Sequence, residues 1–385
     1  MRMVVFGGSA TAGMNCRQGK VINKECAWPR RFQHWLQVAF PEASVELMNF
    51  AQGGATSSSI LAGAGLMMHA YGSREGEGDI RNADLIFVDT LVNDVYQFQK
   101  DYGHGLLNAE AAIIYEQVLR TLHKLQPSAV IFPVLSGCSK CRTFGLGHRQ
   151  VIDHYNLPRL DWGDFVDWNA DLWTFPDVHP TYSTHQSIAD VLAMLWRSVW
   201  NDHCPSQTAE QEQLDWRPPY FEPERLAQFQ PCLKPLSAYD ASVTETVGGA
   251  RLGEGWALFE DRPGKPGWIS EQPGATIEFP LRFGAHPVLV ITWMRSYEKM
   301  GYATMTLNNI HYRLDGLWTR GFHENVSLAD ARWFQVDRRQ MIGAGEMGVA
   351  GFSIHSWTNL TMQITIPQDD TAQYHKMKIM QVLSC

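Results

Sequence analysis

The 385-residue sequence has no block of like charge, and its 32 Lys and Arg are outnumbered by 40 Asp and Glu. Nucleic-acid binding rests on clustered cationic side chains, so a net charge of −8 argues against a nucleic-acid partner. No apolar stretch approaches the roughly 18 residues of a membrane-crossing helix, and no membrane span is expected. The first apolar run begins almost at Met1, so no signal peptide is read there. The sequence also lacks a Gly-x-Gly-x-x-Gly dinucleotide fingerprint. One Cys-x-x-Cys, Cys138-Ser-Lys-Cys141, has neither a second ligand pair nor thioredoxin-like surroundings. Neither zinc nor dithiol chemistry is implied by it. Internal repeats and low-complexity tracts are missing too. These absences leave a small-molecule or neutral-polymer substrate, with no metal and no other cofactor expected.

What is present starts at the N-terminus. Met3-Val-Val-Phe6 is apolar and β-branched, and Gly7-Gly-Ser-Ala-Thr-Ala-Gly13 follows at once. The pattern predicts a buried strand with a tight turn off its carboxyl end, where open parallel sheets bind ligands. Ser9 in that turn reads as a nucleophile, a phosphate contact or a plain turn residue. Met14 stands where a phosphate-cradling loop carries its Lys, which weakens the second reading.

Strand and helix signals then alternate. Strands are expected at Val45–Phe50, Ala83–Leu91, Ala129–Leu135 and within Leu160–Trp168. Helices are expected at Pro29–Phe40, Ala109–Leu125 and Ser183–Trp200. Alternation with continuous apolar strands implies a parallel sheet covered on both faces. Near residue 204 the texture changes. Residues 204–235 carry six prolines and read as an extended linker between an α/β domain, 1–203, and a second domain, 236–385. In the latter, short alternating runs at Thr276–Phe283, Pro287–Ser296, Ala303–Leu314, Glu346–Trp357, Leu360–Pro367 and Lys376–Leu383 predict an all-β, jelly-roll-like sandwich. Its tryptophans, Trp256, Trp268, Trp293, Trp318, Trp333 and Trp357, are assigned mostly to the core, although an exposed indole can stack on a sugar ring.

Seven cysteines fit three local pairs, Cys16–Cys26, Cys138–Cys141 and Cys204–Cys232, with Cys385 spare. That arrangement suits the secretory pathway or the extracellular space; seven reduced thiols are the alternative. The sequons at Asn325 and Asn359 agree with secretion, but sequons also arise by chance.

Four stretches fall at expected strand ends or just before the last helix: Gly8-Ser9, Gly53-Gly54, Asn93-Asp94 and Asp177-Val-His-Pro180. In this order they resemble the SGNH hydrolases, also called the GDSL esterase/lipase family, over residues 2–200. The resemblance implies a three-layer α/β/α, flavodoxin-like domain. It makes Ser9 the nucleophile and His179 the general base. Gly54, Asn93 and the Ser9 N–H become the oxyanion hole. The chain departs from the family's pattern where Gly8 replaces the Asp before the Ser, where Leu91 replaces a Gly, and where Pro176 replaces the Asp three residues before the His. The acid that orients His179 is then Asp177, Asp171, or none, with a backbone carbonyl holding a Ser–His dyad.

The residue types suit acyl transfer. A serine hydroxyl needs an imidazole to take its proton, and the tetrahedral oxyanion needs fixed N–H donors. The expected activity is hydrolysis of a carboxylic ester, of a small molecule or an acylated glycan, through an acyl-Ser9 intermediate. Two alternatives are an acyltransferase acting on a sugar hydroxyl through the same Ser9 and His179, and a catalytically silent glycan-binding protein.

Overall fold

The apolar runs of the first half build one parallel sheet. Strands β1 (Arg2–Gly7), β2 (Glu46–Asn49), β3 (Leu85–Asp89), β4 (Val130–Leu135) and β5 (Leu160–Asp161) lie in the order β2-β1-β3-β4-β5. Met3 stands opposite both Leu47 and Leu85, and Val5 opposite both Asn49 and Phe87. The order reverses between β1 and β3, which makes their carboxyl ends the topological switch point. Every residue of β3 is buried, as a strand covered on both faces requires. The computed structural model describes residues 1–17, 21–69, 80, 82–102, 107–136, 145–164, 179–203, 216–242, 249–261, 265–308, 310–317, 327–335, 354, 356–368 and 374–385.

Six helices accompany these strands among the described residues: α1 (Trp28–Ala39), α2 (Ser57–His69), α3 (Leu91–Tyr102), α4 (Leu107–Leu125), α5 (Leu146–His154) and α6 (Tyr182–His203). Pro29 sits in the first turn of α1, where its missing N–H costs nothing. Trp28 and Phe32 of α1 meet Phe87 edge-on, with ring centres 5.4 and 5.9 Å apart. Ile188 and Leu192 of α6 join the same cluster. Burying a side chain such as Phe87 contributes about 2–3 kcal/mol. Thr181 caps α6, its hydroxyl accepting from the Thr184 N–H.

The remaining strands are antiparallel: β6 (Ser237–Asp240), β7 (Arg251–Leu252), β8 (Ala257–Phe259), β9 (Gly267–Ser270), β10 (Thr276–Arg282), β11 (Val288–Ser296), β12 (Tyr302–Leu307), β13 (Ile310–Asp315), β14 (Ser327–Gln335), β15 (Asn359–Thr365) and β16 (Met377–Ser384). They form two sheets, β13-β12-β15-β10-β7 and β14-β11-β16-β9-β8, with β6 on β16. Alternate residues of both sheets, such as Ile277, Phe279 and Met305 from one and Ile291, Trp293 and Ile379 from the other, share one core. This is a β sandwich. Trp256, Trp268, Trp293 and Trp333 are buried, whereas Trp357 is 76% exposed. Trp318, Asn325 and most of Glu346–Trp357 lie outside the described residues.

The chain falls into two compact units. The first is Met1–Ala55, Gly78–Val95 and Ala111–Glu222; the second is Thr56–Glu77, Tyr96–Glu110 and Pro223–Cys385. Helix α2 and the later turns of α3 thus group with the sandwich strands, and α2 packs on β14 and β11. Of the proline-rich stretch, residues 204–215 lie outside the described residues. Beyond them the chain is tied to the first unit: Trp216 stacks on His123, and the Glu116 carboxylate accepts from the backbone of Tyr220 (2.7 Å) and Phe221 (3.0 Å).

Three expectations are corrected. Ala83–Leu91 is not one strand, because β3 ends at Asp89 and Leu91 opens α3. Ala303–Leu314 is a hairpin, with Asn308 at φ 53° in the turn. Cys385 is not spare: it pairs with Cys232 across 153 residues, which rules out the Cys204–Cys232 pair. Cys16–Cys26 is formed as expected, and Cys138, Cys141 and Cys204 lie outside the described residues.

Candidate active site

β1 ends at Gly7, and the chain turns at once. Gly8 N–H donates to the Asp89 carbonyl at the end of β3 (3.1 Å). Ala12 N–H returns to the Gly8 carbonyl and Met14 N–H to the Ser9 carbonyl, both at 2.9 Å. Ser9 therefore opens a helical turn at the switch point, with its side chain half-buried. Across the chain, His179 stands just ahead of α6, and its Nε2 lies 2.9 Å from Ser9 Oγ. The hydroxyl expected to act as nucleophile and the imidazole expected to act as base are within hydrogen-bond reach.

Gly54 follows β2 with φ +81°, a conformation that favours glycine. Asn93 lies in the first turn of α3, buried, and its Nδ2 donates to the Ala55 carbonyl at 2.7 Å. The same amide lies against Gly8: a Cβ at Gly8 would run into Asn93 Nδ2 and lie 3.1 Å from its Cγ. Position 8 therefore has no room for a Cβ while the Asn93 amide stays in place. Among the described residues, neither Ser9 N–H nor Gly54 N–H has a protein acceptor. Unpaired, fixed N–H groups are the kind of donor that an oxyanion hole needs.

Asp177 and Asp171 lie outside the described residues. His185, six residues beyond His179, is not a competing base. It is fully buried, and its Nδ1 accepts from Trp28 N–H at 3.3 Å. Burial first, and the Arg31 guanidinium second, push its pKa down to about 3, so it stays neutral. Among the described residues, no group of three His, Cys, Asp or Glu is placed to hold a metal ion. No described helix is long and apolar enough to cross a membrane.

One neighbour of the candidate site escaped the sequence reading. Asp89, at the end of β3, accepts from Thr11 Oγ1 of the turn after β1, and Ser136 Oγ just past β4 stands 2.6 Å away. It ties the ends of β1, β3 and β4 together. Burial raises its pKa to about 6, against the opposing effect of those hydrogen bonds. Its signal in the sequence is a carboxylate closing an otherwise apolar strand.

No protein-family model matches the chain, and no curated protein matches its sequence. Solved structures do resemble it. A two-domain esterase (CEX) active on acetylated mannans, co-crystallised with mannopentaose, matches 100% of this chain and 90% of its own at TM-score 0.60 and 15% identity. A second crystal structure described in the same words, without mannopentaose, gives TM-score 0.60 and 16% identity with the same coverage. An acetyl xylan esterase covers 52% of this chain and 100% of its own, at TM-score 0.39 and 18% identity. The whole-chain likeness shows the fold: an α/β part followed by a β part.

Proposed function

We propose that this protein is a serine ester hydrolase of the SGNH type, acting on an acylated carbohydrate. The observation that carries the reading is Ser9 Oγ at 2.9 Å from His179 Nε2, at the switch point of a parallel sheet. In the proposed reaction His179 Nε2 takes the Ser9 proton as Oγ attacks the acyl carbon. The tetrahedral oxyanion accepts from Ser9 N–H, Gly54 N–H and Asn93 Nδ2. Collapse breaks the bond to the sugar oxygen, which leaves with the proton from His179. Water, deprotonated by His179, then releases the acid and frees Ser9. Asp177 is assigned to hold the other ring nitrogen of His179.

The carbohydrate half of the reading is supported by the whole-chain likeness to an esterase active on acetylated mannans. The test is acetate release from an acetylated manno-oligosaccharide and turnover of p-nitrophenyl acetate, comparing wild type with Ser9→Ala. Release that depends on Ser9 supports the reading; turnover unaffected by Ser9→Ala overturns it.

A further inference from the structure

The two oxyanion candidates sit just ahead of α2 and in the first turn of α3, and both helices lead to one carboxylate. Asp330, in β14, is fully buried. Its Oδ1 accepts from Gln97 Nε2 at 2.8 Å, and its Oδ2 faces Arg295 at 3.2 Å and Arg332 at 3.4 Å. Gln97 is one helical turn beyond Asn93 on α3. With its amide nitrogen committed to Asp330, its Oε1 turns to α2 and accepts from Ser58 Oγ at 3.2 Å. Ser58 Oγ lies 2.8 Å from the hydroxyl of Thr56, the N-cap of α2. Thr56 and Ser59 exchange bonds reciprocally, Thr56 N–H to Ser59 Oγ at 2.9 Å and Ser59 N–H to Thr56 Oγ1 at 3.2 Å. Thr56 Oγ1 also lies 3.3 Å from the Ala329 carbonyl of β14. One residue earlier, Ala55 offers the carbonyl that Asn93 Nδ2 bonds. The bonds close into a ring, Gln97, the first turn of α3, Asn93, Ala55, Thr56, Ser58 and back to Gln97, and Asp330 holds that ring at Gln97.

Burying a carboxylate is costly, and an apolar residue at a strand position packs as well. A hydrogen-bonded buried network, in return, fixes geometry. We infer that Asp330 is a positioning residue for the oxyanion donors, acting through Gln97 and Ser58 on the segments that present Asn93 and Gly54. On this account strand β14 sets the donors that stabilise the transition state. The inference rests on the proposed esterase reading of Ser9 and Asn93.

The test is steady-state hydrolysis of p-nitrophenyl acetate by the full-length chain. Gln97→Met keeps the shape and removes the amide; Asp330→Asn keeps the shape and removes the charge. The expected result for each is a fall in kcat of about tenfold with KM within about twofold, because a displaced donor weakens the transition state alone. Thr56→Val falls likewise, while Thr56→Ser, which keeps the hydroxyl, restores wild-type kcat. In an Asn93→Ala background Gln97→Met has a smaller effect, since one of its two targets is gone. A soluble Gln97→Met protein with wild-type kcat overturns the inference, as does the same fold-loss in both backgrounds. If Asp330→Asn does not fold, Gln97→Met and the Thr56 pair decide alone. Turnover that survives Ser9→Ala sinks the esterase reading itself. Ser9-dependent turnover that ignores Gln97 sinks only this inference.

Discussion

His179 Nε2 lies 2.9 Å from Ser9 Oγ although 170 residues of chain separate them. The contact joins the turn after the first strand to the loop before the last α/β helix, and it aligns a proton donor with its acceptor. Groups that act as a unit lose activity as a unit. Ser9→Ala and His179→Ala should each lower kcat by about 10⁴-fold or more, and the double variant should be no worse than the single ones. Kinetics with p-nitrophenyl acetate check this; multiplicative losses would mean the two residues act separately.

Asn93 is expected to act mainly in the transition state. Asn93→Ala should reduce kcat by about 10²–10³ with little change in KM. Gly8→Ala should do nearly as much harm from a different position, because its Cβ enters the space held by Asn93 Nδ2. A Gly8→Ala protein that folds and keeps full kcat would show that the amide's position is unimportant.

Asp89 links the site to pH. Its folded pKa of about 6 is raised above the ordinary carboxylate value of 3.8. The folded state therefore holds this proton more tightly than the unfolded state. The stability it contributes is present below about pH 4 and is lost as pH rises through about 6. Asp89→Asn can still accept from Ser136 and cannot ionise. It should flatten the Tm profile between pH 4 and 7 and raise Tm relative to wild type at pH 8. Thermal unfolding across that range checks it, and an unchanged slope would contradict the assignment.

The Cys232–Cys385 bridge ties the end of β16 to the segment ahead of β6. Constraining a loop of this size in the unfolded chain is worth about 2–5 kcal/mol. Cys232→Ser should lower Tm by several degrees and leave kcat per folded molecule unchanged.

The parts of the site that were legible in the sequence are those whose chemistry sits at strand ends. Ser9, Gly54 and Asn93 each follow an apolar run, and His179 precedes an amphipathic one. The end of β3 was not legible. The first turn of α3 is nearly as buried as the strand, so Leu91-Val92 continued the apolar signal without a break. β14 was missed for the opposite reason: Asp330 and Arg332 share the inward face with Phe334 and interrupt the alternation that marks a strand. The partner of Cys385 could not be read either, because spacing does not encode long-range pairing. Nothing local announced that α2 and α3 end on β14, since tertiary contacts alone bring Thr56 and Gln97 there.

The central claim is that Ser9 is a nucleophile activated by His179. The most direct measurement is labelling with a fluorophosphonate at neutral pH, followed by peptide mapping of the adduct. The account predicts one phosphonyl group on Ser9 in wild type. It predicts none in Ser9→Ala, and labelling slowed by about 10³-fold or more in His179→Ala. An unlabelled Ser9 in folded wild-type protein, or labelling at another serine that persists in Ser9→Ala, would contradict it.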